Sequence, residues 1–339
     1  MKKPLKKEKI TRDLFVVPIA ALIVGVVCGW LIRGEQEYNL GEKELSTLRL
    51  DGYKLISPLL VCDTTPGKTS AGEQVMEKKL QSVVEKAKQM GNITSASIYF
   101  RNIKSGGQVL VNENEKYFPA SLNKVPVMMA YFKEAQKDPN IFSKKITVSF
   151  TNDINGSQEI KPAQTVKSGE THKVIDLIER MIKFSDNNAA YALINNIDRA
   201  KIDQTSKDLK VAYPRQEVID YITVNDFSYF LRVLYNATYL RSDLSERALE
   251  LLGGIDFKDG LVAGVPSGIT VAHKFGLQTG YNSVGIVEKR ELHDCGIIYN
   301  EKSPYVLCIM TKSGDSFEGA KSTIKSISAL VWEEVSKGQ

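Results

Sequence analysis

The segment FPASLNKVPVMMAYFKEAQ, residues 118–136, combines a Phe-Pro-Ala turn with a predicted helix over Ser121–Gln136. Ser121 and Lys124 are three residues apart, so on a helix they share one face, about one turn from each other. A serine hydroxyl is a weak nucleophile until a base takes its proton, and a desolvated lysine can be neutral enough to do so. The helix start also supplies free backbone N–H groups that stabilise a developing oxyanion.

Alone, a Ser-x-x-Lys pair is a weak signal. A second pair, Ser322–Lys325, falls inside the predicted last helix, where we interpret it as solvated surface. What distinguishes Ser121 is the order of two later motifs. Ser185-Asp186-Asn187 lies in a break between two predicted helices, and His273-Lys274-Phe275-Gly276 ends a predicted strand.

Hydrophobic periodicity predicts strands at both ends of the region from Glu73 onward and helices in its middle. The predicted helices are Gln74–Gln89, Ser121–Gln136, His172–Lys183, Asn187–Asn196, Thr223–Leu240, Leu244–Leu251 and Phe317–Val335. The predicted strands are Thr94–Phe100, Gln108–Val111, Thr270–Phe275, Cys295–Tyr299 and Tyr305–Thr311. This order indicates one antiparallel sheet built from chain-distant strands.

The three motifs resemble the Ser-x-x-Lys, Ser-Asp-Asn and Lys-Thr/Ser-Gly signatures of the penicillin-recognising serine enzymes, most closely the class A β-lactamases. The segments VAHKFG, LHDCGIIY and YVLCIMTK look like that family's three carboxy-terminal strands, and TVNDFSYFLRVLYN looks like the helix after its omega loop. The resemblance covers residues 73–339. It implies an α/β (α+β) fold in which an antiparallel sheet, flanked by terminal helices, packs on a mostly helical subdomain.

For catalysis, the resemblance implies an acyl-enzyme route without a metal or organic cofactor. Ser121 would be the acylated nucleophile, and Lys124 its proton acceptor or relay. Ser185 would pass a proton to the leaving nitrogen. The backbone N–H groups of Ser121 and Leu277 would form the oxyanion hole.

For binding, the resemblance implies that Asn187 holds the substrate's amide side chain and contacts Lys124. Lys274 would attract the substrate carboxylate, and Gly276 and Leu277 would complete the substrate-binding strand. Asp186 would be structural, with its carboxylate fixing the turn.

One departure from the family pattern is Phe275, which stands where a Thr or Ser hydroxyl is expected to bind the substrate carboxylate. Loss of one charge-assisted hydrogen bond costs roughly 1.5–3 kcal/mol, a deficit of about ten- to a hundredfold. Thr279 or Ser283 could compensate from the following loop.

A second departure concerns deacylation, for which class A enzymes use an omega-loop glutamate with an asparagine a few residues on. No such pair occurs between Asn187 and Thr223. Glu217, Asp208 and Asp220 are the acids near the expected place, and none has a convincing context. We therefore expect deacylation to be slow.

Three functions remain open. The first is a serine hydrolase that opens β-lactam amides through a Ser121 acyl-enzyme. The second is a penicillin-binding enzyme that cleaves or transfers D-alanyl-D-alanine peptides of peptidoglycan and deacylates slowly. The third, from another class, is a catalytically silent domain that binds wall peptides or a protein.

The charge of the chain is concentrated in its amino-terminal tail. The 339 residues carry 45 Lys+Arg and 40 Asp+Glu, hence +5, and residues 1–13 hold six cations against two acids, hence +4. The remainder, 5 − 4 = +1, gives no reason to expect a nucleic-acid partner.

Residues 14–32 are 19 residues without a charge, about 28 Å of helix, which predicts a transmembrane anchor. A cleaved signal peptide or a core helix fits less well, because the segment is long for the first and has no polar face for the second. The positive residues before it place the amino terminus inside. We expect a single-pass protein of the bacterial cell membrane, with residues 33–72 as linker and an extracytoplasmic domain at 73–339.

The cysteines and histidines indicate no metal site. Cys295 and Cys308 flank a predicted hairpin turn and form either a cross-strand disulfide or two buried thiols. His172, His273 and His293 form no HExxH or clustered set, so we expect no zinc. A Ser-His-Asp arrangement is disfavoured because no serine lies in a Gly-x-Ser-x-Gly elbow, and His273 is expected to pack beside the sheet.

Overall fold

The structure is a computed structural model that describes residues 52–57, 70–211, 221–301 and 303–337. Its central element is an antiparallel sheet of five strands: β1 Ser95–Asn102, β2 Gln108–Val111, β5 Val271–Tyr281, β6 Val287–Ile298 and β7 Tyr305–Ser313. Across the sheet these strands lie in the order β2-β1-β7-β6-β5. Two short strands, β3 Lys145–Thr147 and β4 Thr171–Lys173, form a separate ribbon. The predicted antiparallel sheet of chain-distant strands is confirmed, since β1 pairs with β7.

Helices flank this sheet and fill the middle of the chain. In the described part they are α1 Ala71–Gln89, α2 Lys124–Ala135, α3 Val174–Lys183, α4 Asn187–Asn195, α5 Arg199–Asp208, α6 Val224–Tyr235, α7 Ser242–Gly253 and α8 Phe317–Lys337. α1 starts at a capping box in which Ser70 and Glu73 satisfy each other's backbone N–H groups. Thr223 caps α6 as predicted, by accepting a hydrogen bond from the N–H of Asp226.

The terminal helices α1 and α8 cover one face of the sheet. Leu80 and Val84 of α1 and Ile324 and Val331 of α8 belong to one buried apolar cluster with sheet residues such as Ile309. Each fully buried side chain of this kind stabilises the fold by about 1.5–3 kcal/mol relative to exposure. The other face packs on the helices of the middle of the chain, in a second and larger apolar cluster.

The hairpin of β5 and β6 is much longer than predicted. β5 continues to Tyr281 and β6 begins at Val287, whereas the predicted strands end at Phe275 and begin at Cys295. The outer part of this hairpin projects beyond the core, so its sequence lacks the apolar alternation that identifies half-buried strands. α5 was likewise not predicted, because Ile202 is its only large apolar residue that is buried.

A short segment that precedes α1 is part of the folded domain. The buried carboxylate of Glu246 in α7 accepts hydrogen bonds from the backbone N–H groups of Lys54, Leu55 and Ile56. Residues 52–57, although inside the predicted 33–72 linker, therefore pack on the domain. The predicted tail at 1–13 and anchor at 14–32 lie outside the described residues.

Two further predictions concern the sheet and the membrane. Cys295 of β6 and Cys308 of β7 are directly paired across the strands and joined by a disulfide, the first of the two alternatives. Within the ranges that the structure describes, none of the helices is both long and apolar enough to cross a bilayer.

Candidate active site

The first motif lies at a junction between two kinds of helix. The predicted helix over Ser121–Gln136 is a 3₁₀ turn at Ala120–Asn123 followed by α2 from Lys124. Ala120 adopts a left-handed backbone with φ of 48°. Such strain in a residue other than glycine is concentrated at functional sites, and here it turns the chain so that Ser121 borders two cavities.

The second motif occupies the predicted break between α3 and α4. Ser185 is also left-handed, with φ of 56°, and is buried. Asp186 caps α4 by accepting a hydrogen bond from the N–H of Asn188, and it accepts another from the N–H of Val166. The buried Asp186 carboxylate therefore fixes the turn that presents Ser185 and Asn187.

Lys124 connects the first motif to the second. Its Nζ atom lies 2.6 Å from the Ser185 carbonyl oxygen, 3.0 Å from Ser185 Oγ and 2.7 Å from Asn187 Oδ1. Burial lowers the pKa of Lys124 well below the usual value, and the charge of Lys274 lowers it further. A buried lysine with a lowered pKa has a neutral form that can accept a proton.

Lys274 brings the third motif to the same hydroxyl. Its Nζ lies 3.1 Å from Ser185 Oγ, so that oxygen lies within hydrogen-bond distance of both lysine nitrogens. Lys274 is completely buried, and burial lowers its pKa to about 7, while the nearby carboxylates of Asp294 and Asp256 oppose this shift. The three motifs, which are far apart in sequence, thus share one hydrogen-bond network.

Gly276 is required by the close approach of β5 to the 3₁₀ turn at Ala120–Asn123. A Cβ atom at this position would lie 2.9 Å from the Pro119 carbonyl oxygen and 3.3 Å from the Leu122 side chain. Glycine thereby lets β5 pack directly against the turn that carries Ser121. Leu277, the next residue, lines both cavities together with Ser121 and Asn187.

Asn155 is a positioning residue that the sequence did not reveal. Its Nδ2 atom donates a hydrogen bond of 2.7 Å to Asp186 Oδ1, and its Oδ1 accepts one of 2.8 Å from the Asn187 N–H. The side chain is buried and lies in the short 3₁₀ turn Ile154–Ser157. A single polar residue in a loop gives no periodic signal, so no sequence pattern could have identified this role.

Two cavities meet at Ser121. The larger measures about 830 Å³ and extends towards α5, with Asp203 on its wall. The smaller measures about 190 Å³ and extends along β5, with Glu159 and Phe275 on its wall. Of the acids considered for deacylation, Asp208 accepts hydrogen bonds from Gln204 and Tyr239 and lines neither cavity.

Glu217 and Asp220 lie outside the described residues, so the sequence-based expectation about them stays a prediction. In the described part of the chain, Ser121 Oγ has no hydrogen-bond partner. Its hydroxyl is therefore not engaged by another side chain there.

The histidines are held in the sheet. His273 Nδ1 lies 2.7 Å from Asp294 Oδ1, and both side chains are fully buried. Asp294 also accepts a hydrogen bond from the N–H of Leu261. Leu261 lies in a short turn that packs against α8. Adjacent strand residues point to opposite faces, so His273 lies on the face away from Lys274, packed in the sheet as expected.

His293 contacts the chain just before Ser121. Its Nε2 atom lies 2.9 Å from the carbonyl oxygen of Phe118, and burial lowers the pKa of His293 to about 4. The neutral imidazole donates this hydrogen bond. The N–H of Phe118 in turn donates to Glu291, so β6 holds the chain three residues before Ser121.

The arrangement is suited to acyl transfer by a serine. Across residues 52–57, 70–211, 221–301 and 303–337, no group of three or more His, Cys, Asp or Glu side chains could hold a metal ion. The site instead combines a hydroxyl, two buried amines with lowered pKa and a bridging hydroxyl. These are the components of proton transfer to and from an attacked amide.

Comparison with known proteins agrees with this chemistry. The family described as "Beta-lactamase enzyme family" matches residues 75–335. Among curated proteins, no significant match was found.

Solved structures share the fold. A mutant of PBP-A, in an acyl-enzyme complex with penicillin G, has a TM-score of 0.66 at 21% identity, over 81% of this chain and 100% of its own. The beta-lactamase from Sphaerobacter thermophilus has a TM-score of 0.62 at 16% identity, over 75% of this chain and 95% of its own. A beta-lactamase from Chitinophaga pinensis has a TM-score of 0.64 at 17% identity, over 77% and 99%.

Proposed function

From the premise that this chain belongs to the beta-lactamase enzyme family and is a serine hydrolase of that type, we propose that it opens β-lactam amides through an ester on Ser121. The observation that carries the proposal is the position of Ser185 Oγ, 3.0 Å from Lys124 Nζ and 3.1 Å from Lys274 Nζ. This hydroxyl connects the base beside the nucleophile with a second proton source.

Acylation begins with neutral Lys124. Its amine takes the proton of Ser121 Oγ as that oxygen bonds to the amide carbon. The carbonyl oxygen becomes an oxyanion, stabilised by backbone N–H groups at Ser121 and Leu277. The C–N bond then breaks, and the leaving nitrogen receives a proton that Ser185 Oγ passes on from Lys124. Ser121 is left as an ester, and Lys124 is neutral again.

Deacylation requires water to attack that ester, and it separates the proposed hydrolase from its alternatives. A penicillin-binding enzyme would keep the ester for a long time, whereas a silent binding module would never form it. Among the described residues that line the two cavities, the carboxylates are Asp203 and Glu159, which makes them the candidates for this role.

We also propose that the enzyme works outside the cell while held in the membrane by residues 14–32. The support is the length of this uncharged segment and the positive residues before it. A thiol-reactive, membrane-impermeant label applied to intact cells that carry a cysteine in the exposed turn at Ser283 would test the orientation. Labelling without lysis supports the proposal, whereas labelling only after lysis contradicts it.

The activity is tested with a chromogenic cephalosporin and the full chain. Repeated turnover that is lost in Ser121→Ala supports the hydrolase. One colour burst per protein molecule would indicate the penicillin-binding alternative, and no burst the silent module. Lys325→Ala is the matched control, because Lys325 lies on the exposed surface of α8 and its loss leaves turnover unchanged.

A further inference from the structure

The ammonium group of Lys274 is covered by the residue that follows it. Lys274 has no exposed surface, and its Nζ atom lies 4.1 Å from the centroid of the Phe275 ring. Two of its N–H groups are directed to Ser185 Oγ and to the Phe275 carbonyl oxygen, each 3.1 Å away. The ring of Phe275 therefore lies against the ammonium group that the motif would present to a substrate anion.

The Phe275 ring is held in place by a second ring. The centroids of Phe257 and Phe275 are 4.4 Å apart, with an angle of 30° between their planes. Only 3% of Phe275 is exposed, yet it lines the smaller cavity beside Ser121. Moving this ring off Lys274 would break the contact with Phe257, which stabilises the closed arrangement.

Thr279, on the wall of this cavity, and Arg290, which contacts the same carboxylate, already have an anionic partner. Thr279 Oγ1 donates a hydrogen bond of 2.8 Å to Glu159 Oε1, and Arg290 Nε lies 3.0 Å from Glu159 Oε2. Glu159 itself lines the cavity. The compensating role considered for Thr279 is therefore taken by a carboxylate of the protein.

These contacts disfavour a bound carboxylate in the smaller cavity, whereas the family's third motif favours one. A Lys-Thr/Ser-Gly strand presents an ammonium group and a hydroxyl to a substrate carboxylate. Here the wall includes an aromatic ring at the position of that hydroxyl and one carboxylate, Glu159, among uncharged residues. A second carboxylate brought beside Glu159 is repelled by it and would compete with it for Arg290. Desolvation of an unpaired anion adds to this cost.

We propose that Phe275 and Glu159 make this enzyme select acyl donors that carry no carboxylate beside the leaving group, so that its substrate class is uncharged amides or esters. The proposal rests on the proposed acylation of Ser121. It assigns Phe275 and Glu159 as specificity-determining residues. β-Lactams are then accepted as reactive amides in spite of their carboxylate, not because of it.

The test compares a penicillin with its own methyl ester, because the two differ only in the charge of the group at issue. The rate of acylation is followed by the mass of the full-length protein, and peptide mapping locates the adduct. For the wild type we expect the ester to acylate Ser121 at least as fast as the free acid.

Two variants restore anion binding by separate routes. Glu159→Gln removes the repelling charge and leaves Arg290 without its carboxylate partner, although Arg290 still donates to the Asp315 carbonyl oxygen. Phe275→Thr supplies the missing hydroxyl and uncovers Lys274. Each is expected to raise the acid-to-ester ratio of rates by about tenfold or more, the value of one charge-assisted hydrogen bond. Lys325→Ala, on the exposed surface of α8, keeps the wild-type ratio and serves as the control. Glu159 is partly exposed, so its variant folds even where Phe275→Thr does not.

Three results are decisive. An ester that reacts as fast as the acid in the wild type, together with a raised ratio in Glu159→Gln, supports the proposal. A wild type that prefers the acid tenfold, or a ratio unchanged in Glu159→Gln, overturns it while Ser121 acylation still stands. Absence of any Ser121 adduct with either compound overturns the proposed function and this inference with it.

Discussion

Two regions of this molecule carry the same Ser-x-x-Lys sequence, and the structure treats them differently. Lys124 is only 6% exposed, and three oxygen atoms of the second motif surround its Nζ atom. Ser322 and Lys325, on α8, are both exposed, and neither side chain has a hydrogen-bond partner among the described residues. Spacing on a helix is therefore shared, whereas burial and partners are not.

The two pairs therefore differ in whether the surrounding fold removes the lysine from water. Burial favours the neutral amine, which is the form that accepts a proton. Lys325 lies in solvent on α8 and lacks this burial. Ser121 also lies in the 3₁₀ turn that precedes α2, while Ser322 lies inside α8.

The largest expected difference between the two pairs comes from replacing each lysine by methionine. Lys124→Met is expected to lower the rate of Ser121 acylation by about 10²–10⁴-fold, because the proton acceptor is lost. Lys325→Met leaves the rate within about twofold, since it only changes a solvated surface. Stopped-flow measurement with a reporter penicillin checks both. Acylation in Lys124→Met above a tenth of the wild-type rate would show that another group is the base.

The support beneath Ser121 is sensitive to pH through His293. Burial lowers the pKa of His293 to about 4, below the usual 6.5, so the unfolded chain binds the proton more tightly. Above pH 6.5 this histidine therefore does not lower the free energy of unfolding. As the pH falls towards 4, protonation of His293 in the unfolded chain lowers the free energy of unfolding by on the order of 3 kcal/mol.

His293→Gln removes this contribution and flattens the dependence between pH 6.5 and 4. Glu291 lies nearby, and burial raises its pKa, which acts in the opposite direction. Because Glu291 is present in both proteins, urea unfolding of the wild type and the variant at several pH values isolates the imidazole. Parallel curves for the two proteins would mean that His293 does not titrate on unfolding.

Asn155→Ala tests how the second motif is held around Lys124. The substitution leaves Asp186 and the Asn187 N–H each without one buried partner, which costs about 2 kcal/mol of stability. It also displaces Ser185 and Asn187, so we expect about a tenfold slower acylation of Ser121. The rate and the free energy of unfolding are measured on the same preparation. A variant as fast as the wild type would show that Asn155 only stabilises the fold.

Glu246→Gln is the matched control for that experiment and has the smallest expected effect on activity. Glu246 is buried and binds the backbone of residues 54–56, away from the three motifs. We expect a loss of about 2 kcal/mol of stability, because the amide has one acceptor oxygen where the carboxylate has two, and its NH2 group faces a buried backbone N–H. Acylation stays at the wild-type rate below the unfolding temperature. A slower reaction would reveal that stability alone limits the Asn155 variant.

The sequence predicted the elements whose apolar residues are periodic. The helix over Phe317–Val335, the strand over Gln108–Val111 and the break at residues 184–186 all agree with the structure within a few residues. The three motifs were identified because their order matches a family signature. Each of these signals depends on local spacing, which a sequence displays directly.

Other features depend on contacts between distant residues and left no such pattern. Three such features each depend on a single residue in an irregular segment. They are the Phe257 ring that packs on Phe275, the Glu159 carboxylate that accepts a hydrogen bond from Thr279, and the Asn155 side chain that donates to Asp186. The packing of residues 52–57 on Glu246 was hidden for the same reason. The sequence thus predicted which side chains come together, whereas the contacts that surround them are visible only in the structure.

If burial of Lys124 makes it a base, then Ser121, and not Ser322, is the nucleophile. Incubation of the full chain with penicillin G, followed by intact mass and peptide mapping, tests it directly. We predict one adduct per molecule on the peptide containing Ser121, and none in Ser121→Ala. An adduct that persists in Ser121→Ala, or one that maps to another serine, would contradict the account.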